Sequence, residues 1–136
     1  MRADYLDASA VVKLIVSEPE TKALQQYLRD APSNGIKVFF SSRLGYTEVM
    51  RAVRRRAPEL LPASREYLRG VHWLGVTEPI IEVASSLGSG HLRTLDALHL
   101  ATALQEASVL RQVVVYDSRL AQACREVGLA VVAPGQ

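Results

Sequence analysis

The chain has 136 residues, of which 49% are hydrophobic and 22% charged, and carries a formal net charge of +2. That composition is long and apolar enough for one folded domain over residues 1–136, and it excludes a disordered or low-complexity chain. No apolar run reaches the ~20 residues a membrane-spanning helix needs. The first stretch, MRADYLDASAVVKLIV, puts an aspartate ahead of any apolar run and lacks a small-residue cleavage site, so it does not read as a signal peptide.

In chain order, YL before Asp7 closes a short buried strand, and ASAVVKLIV continues as a helix. PETKALQQYLRD forms a second helix after Glu18-Pro19, and APSNG is a loop. IKVFFSS is a β-rich run, followed by a long helical pattern from Arg43 to about Arg56. APELLP breaks that pattern, ASREYLRG is helical, and VHWLGV is a short strand. PIIEVASSLG and TLDALHLATALQEA are helices separated by the GSGHLR loop. QVVVYD is the clearest buried strand, SRLAQACREVG a helix ending at Gly128, and LAVVAP a last strand. Strands alternating with helices predict a parallel sheet covered on both faces.

The lone cysteine, Cys124, has no partner for an internal disulfide and reads as a small core residue, which suits a cytoplasmic protein. Thirteen arginines stand against three lysines, with no lysine after Lys37. Arginine suits bidentate phosphate contact, and a GC-rich genome gives the same bias without any function attached.

Several acids stand where a fold could use them. YLDAS and VYDSR each set an aspartate, Asp7 and Asp117, directly after a strand and before a helix. Ligand crevices of open parallel sheets lie at that edge, although helix capping accounts for either aspartate alone. Glu48 lies on the apolar face of its helix with Leu44, Gly45, Val49, Ala52 and Val53. A glutamate there must be paired or metal-bound; Arg51 and Arg55 on the same helix are the local candidates. Asp96 sits two residues after Thr94, a plausible N-cap, and a helix-dipole role would explain it too. His99, one turn on, reads as a satisfied core histidine. Asp4, before the apolar pair, belongs to the opposite edge of the sheet and is set aside.

Taken jointly, four carboxylates that met in one place would raise one another's pKa unless a cation were present. An all-oxygen set suits Mg²⁺ or Mn²⁺, whereas the scattered His72, His91 and His99 show no zinc spacing. A hard cation activates water and stabilises charge on phosphate oxygens, the usual route to phosphodiester hydrolysis.

The pieces YLDASAVVKLIVSEPE, TEVMRAVRR, LRTLDALHLATAL and VVYDSRLAQACREVGLAVVAP resemble, in order, the PIN-domain ribonucleases, specifically the VapC-type toxins of bacterial toxin–antitoxin pairs. The least similar part runs from about Ala57 to His91. The resemblance implies a three-layer α/β/α domain with a short parallel sheet and a metal-dependent endoribonuclease site. It implies that Asp7, Glu48, Asp96 and Asp117 are the catalytic acids. Asp7, Asp96 and Asp117 would hold one or two Mg²⁺ or Mn²⁺ ions, with Glu48 as a further ligand or as acceptor of the water's proton. Ser9 matches the small hydroxyl residue that helps hold the site, and Thr94 would cap the helix beside Asp96. Products would carry 5′-phosphate and 3′-hydroxyl ends. A homodimer and a small cognate antitoxin covering the site are also implied.

RAVRRR is the densest basic run, with Arg51 and Arg55 near the Glu48 face and Arg54 pointing elsewhere. Arg51 and Arg55, with Arg93, are candidate RNA contacts, and Lys13 is a weaker one. A solvated face, or docking of an acidic partner, would explain the same run. Tyr46 and Trp73 could stack bases or serve the core. Competing readings are a housekeeping RNA-processing nuclease without antitoxin and a non-catalytic module of the same fold. A phosphoacceptor signalling domain is disfavoured, because it needs paired acids after the first strand and a later lysine.

Overall fold

A computed structural model describes residues 2–136, the side chain of Lys37 excepted. Five strands form one parallel sheet in the order β3-β2-β1-β4-β5: β1 Arg2–Leu6, β2 Ile36–Ser42, β3 His72–Leu74, β4 Leu110–Val114 and β5 Val131–Val132. The helices are α1 Ala8–Ile15, α2 Thr21–Asp30, α3 Arg43–Arg56, α4 Leu61–Leu68, α5 Glu78–Ser86, α6 Thr94–Gln105 and α7 Ser118–Glu126. The three-layer α/β/α arrangement expected from the alternation is the one observed. None of the described helices is long and apolar enough to cross a membrane.

Alternation along the buried strands sorts the two layers. Tyr5, Phe40 and Val113 pack with Leu100, Ala103, Leu120 and Cys124 on the α6–α7 side. Leu6 and Val114 pack with Val11, Leu24, Val49, Val53 and Leu68 on the side of α1 to α4. Tyr5 and Phe40 meet edge to face with ring centroids 5.2 Å apart. Cys124 is a core residue, and burial pushes its thiol up to about 12.

Element limits depart from the sequence reading where local bonds decide them. The second helix begins at Thr21, not Pro19, because the Thr21 hydroxyl accepts from Glu18 N and the Thr21 amide donates to Glu18 O. APSNG is a 3₁₀ turn, closed by Gly35 at φ 83° in the left-handed region. The strands in VHWLGV and LAVVAP shrink to three and two residues, at the two edges of the sheet. Asp4 is not at the start of β1 but in its middle. It is fully buried against Arg111, whose Nη2 lies 2.9 Å from Asp4 Oδ2 and whose Nε lies 3.2 Å from Oδ1.

What the sheet does for function is set by its order. Chain direction across the sheet reverses between β1 and β4, the switch point where open α/β sheets form their crevice. Asp7 follows β1 and Asp117 follows β4, so both stand at this point.

Candidate active site

Asp7 caps α1 and is only 5% exposed. Its Oδ2 accepts from Ser9 N at 3.2 Å and from Ser9 Oγ at 2.7 Å. Ser9 Oγ in turn accepts from Tyr116 N at 3.0 Å, so this hydroxyl ties the ends of β1 and β4 together. Both Ser9 bonds fall on Oδ2, and among the described residues Asp7 makes no ion pair. Burial pushes its carboxyl up, against the opposing pull of His99 and the Ser9 bonds; the Glu48 charge adds to the rise.

Asp117 stands in the same relation to α7. Its Oδ1 accepts from Arg119 N at 2.9 Å and Leu120 N at 3.0 Å, which leaves Oδ2 for another partner. The capping reading of both aspartates is therefore realised, and it uses one oxygen of each.

Asp96 lies in the first turn of α6 with its side chain 14% exposed, and Arg93 Nε approaches its Oδ2 at 3.4 Å. Thr94 does not cap this helix. The chain enters through Arg93, whose backbone is extended at φ −68° and ψ 148°, so Thr94 is already the first helical residue and makes no capping bond. Its hydroxyl is one position too far along to reach the free amides of the turn. Asp96 at the third helical position instead sets its charge beside the positive end of the helix.

Glu48 is not paired with Arg51 or Arg55. Its Oε1 meets Nε2 of His99, a residue 2% exposed on α6. His99 Nδ1 lies 2.6 Å from the Tyr5 hydroxyl, which accepts from Ser42 N at 3.2 Å. His99 is the satisfied core histidine expected, and also the residue that the charges of Asp7, Glu48 and Asp96 all reach. Desolvation would lower its pKa, but the Glu48 bond and the three carboxylates outweigh this and raise it. Gly45 lies beside this pair, where a Cβ would come within 3.0 Å of Ser41 Oγ and in ordinary contact, at 3.6 Å, with His99 Cε1.

Asp7, Glu48 and Asp96 thus share one electrostatic neighbourhood around His99. They are not drawn onto a single point: among the described residues no three His, Cys, Asp or Glu side chains are gathered as a metal cage. Glu48 is turned to His99, Asp96 toward Arg93, and Asp117 to its own helix. The donor set nevertheless has the chemistry a hard cation requires. It is all oxygen, and at its centre is a buried carboxylate whose partners, Ser9 N and Oγ, are uncharged.

Two grooves open beside these acids. One of about 550 Å³ is lined by Ser9, Leu44, Glu48, Arg51, Arg55 and the exposed Leu95. The other, about 750 Å³, is lined by His91, Arg93, Asp96, Ser118, Arg119 and Gln122. The sequence reading had no signal for His91 or Arg119, which the fold carries to the site from a loop and from α7. Lys13, by contrast, is held away from any ligand: it is buried, 2.9 Å from Glu18 and 2.8 Å from Glu20, with its ammonium over the Tyr116 ring. Arg56 is paired with Glu18 as well. Tyr46 and Trp73 meet edge to face at 5.6 Å, with Trp73 Nε1 bonded to Leu68 O, and so serve the core.

A parallel sheet with carboxylates at its switch point and on two flanking helices defines an α/β domain with an acidic edge site. The chain belongs to the PIN domain family, which matches residues 5–126. It is 42% identical to Ribonuclease VapC47 of Mycobacterium tuberculosis over 132 residues, 96% of each chain. In fold it matches the M. tuberculosis VapC20 crystal structure, described as a sarcin-ricin loop cleaving toxin, with a TM-score of 0.75 and 16% identity over 96% of this chain and 99% of that one. It also matches Rickettsia felis VapBC2 bound to a fragment of promoter DNA, with a TM-score of 0.72 and 13% identity over 97% and 98% of the two chains.

Proposed function

We propose that the protein is a divalent-metal-dependent endoribonuclease, the toxin of a toxin–antitoxin pair, acting in the cytoplasm. The observation that carries this reading is Asp7: a buried carboxylate with no ion pair among the described residues, at the switch point of the sheet, in the electrostatic company of Glu48 and His99. Its kinship with a VapC ribonuclease along nearly the whole of both chains supports the same activity.

Asp7, Asp96 and Asp117 would hold one or two Mg²⁺ or Mn²⁺ ions. When bound, such an ion supplies charge neutralisation at the phosphate and activates a water molecule. The chain's own residues do the rest. Ser9 fixes the Asp7 carboxylate through Oδ2 and leaves Oδ1 for the ion. Glu48, with Oε1 taken by His99, keeps Oε2 to accept the proton of the attacking water. Water would add to phosphorus as its proton passes to Glu48, the bond to the 3′ oxygen would break, and that oxygen would take a proton from solvent, so that the products carry 5′-phosphate and 3′-hydroxyl ends. Excess EDTA should abolish cleavage of an RNA substrate, and Mg²⁺ or Mn²⁺ added back should restore it; full activity in EDTA overturns the reading.

Arg51 and Arg55 share the groove that Glu48 lines, and both are exposed and without an ion pair among the described residues. In this reading they hold the RNA backbone on one side of the acids while Arg93 does so on the other. Single-stranded contacts give a slope of about −0.7 in log affinity against log salt for each phosphate neutralised. Arg51→Ala/Arg55→Ala should therefore make the slope shallower by about 1.4, measured by RNA binding in EDTA. An unchanged slope would return these arginines to a solvated helix face. A cognate antitoxin and a homodimer complete the reading; the VapBC2 assembly supports the first.

A further inference from the structure

We infer that Tyr5 and His99 are a positioning pair that holds the Glu48 carboxylate on its catalytic side of α3. The inference rests on the nuclease reading above, which gives Glu48 its task, and adds to it two residues outside the acid set.

The bonds link four elements. An ionised carboxylate only accepts hydrogen bonds, so the hydrogen between His99 Nε2 and Glu48 Oε1 belongs to the histidine. The other ring nitrogen meets the Tyr5 hydroxyl at 2.6 Å, and that oxygen accepts from the backbone amide of Ser42 at 3.2 Å. Ser42 ends β2 and caps α3, so the chain of bonds starts on backbone held by both sheet and helix. Tyr5 and His99 are 1% and 2% exposed, and their rings lie edge to face. The imidazole is thus fixed by a bond to each nitrogen and by packing on its faces.

Glu48 needs such a hold. Its side chain is one-third exposed, on a helix surface that also presents Arg51 and Arg55 to the same groove. Either arginine would draw a free glutamate along the groove and away from Asp7. The His99 bond keeps Glu48 turned toward α6, where Asp96 stands one helical turn from the histidine. Gly45, one turn before Glu48, lets α3 lie close to Ser41, where a Cβ would come within 3.0 Å of Oγ.

Tyr5→Phe is the test, because it removes one oxygen and leaves a ring already packed on Phe40. Partners that orient the groups of a metal site typically contribute 10–100-fold. Cleavage by Tyr5→Phe should show kcat lowered about 10-fold with KM within two-fold of wild type. In a Glu48→Gln background the same change should cost nothing further, since Tyr5 acts only through Glu48. In the metal-free protein, ¹⁵N spectra should show a protonated His99 Nε2 whose resonance moves in Glu48→Gln, and an Nδ1 resonance that moves in Tyr5→Phe. Unchanged kcat, or an equal loss in both backgrounds, overturns the positioning role. Ring resonances indifferent to Glu48→Gln overturn the bond itself. Should wild type fail to cleave RNA, the nuclease reading falls, and the spectra still decide whether Tyr5 and His99 hold Glu48.

Discussion

Asp7→Asn is expected to abolish RNA cleavage and, at the same time, to raise the melting temperature of the metal-free protein. The two effects share one cause. Asp7 is a nearly buried carboxylate whose pKa burial drives upward, and its partners are the amide and hydroxyl of Ser9. Asparagine caps a helix as well as aspartate does, and its oxygen can accept both Ser9 bonds. The amide therefore keeps the structure and removes a charge that the fold pays to bury. Each kcal/mol recovered should raise Tm by roughly 3 °C in a chain of this size. Catalysis goes the other way. A cation at the site contributes several kcal/mol to stabilising transition-state charge, so its loss costs on the order of 10³-fold or more in rate. Mn²⁺ should raise the Tm of wild type and leave Asp7→Asn unmoved, because only a state that binds the ion is stabilised by it. A variant that cleaves normally would remove Asp7 from the site. One that is inactive but melts well below wild type would show that Asp7 holds the fold rather than an ion.

Asp7 and Asp117 were legible in the sequence because strand ends announce themselves: an apolar run stops, an acid follows, and a helical pattern begins. The other strands showed as β-rich or apolar runs between helical patterns, and the alternation gave the α/β/α architecture. What the sequence withheld is long-range pairing. Glu48 and His99 are fifty-one residues apart, and nothing local says that β1 carries Tyr5 beneath the ring. Local reasoning offered Glu48 its own helix arginines, which lie along the groove, whereas the bond goes across to α6. Thr94 misled for a related reason. A threonine two residues before an acid looks like a cap, and only the backbone turn at Arg93 shows that the helix has already begun. Lys13 looked like a free cation because Glu18 and Glu20, five and seven residues on, return to it through a loop that periodicity does not describe.

Arg111→Ala should be the most destabilising single change in the sheet. Asp4 is fully buried in the middle of β1, facing the layer of α1 to α4. Arg111 meets it with two bonds and also donates to the Tyr27 hydroxyl at 2.6 Å, which donates in turn to Asp4 Oδ2. Gln112 donates to the same hydroxyl at 2.6 Å, so adjacent residues of β4 hold one cluster across to β1 and α2. Removing one member of a buried pair leaves an uncompensated charge and costs about 3–5 kcal/mol, a large share of the 5–15 kcal/mol that holds a typical domain. At roughly 3 °C per kcal/mol that is a fall of about 10–15 °C in Tm. Arg111→Lys should recover only part of it, since an ammonium lacks the planar fork that spans both Asp4 oxygens. Asp4→Asn combined with Arg111→Met removes both charges together and should be milder than Arg111→Ala alone, because the penalty lies in the orphaned partner rather than in the pair. Below the transition, cleavage per folded molecule should stay near wild type in all three, because the cluster lies in the body of the sheet and not at its carboxyl edge. A fall in kcat parallel to the fall in Tm would instead show that the β1–β4 register set by Asp4 and Gln112 is transmitted to Asp7 and Asp117 at the strand ends.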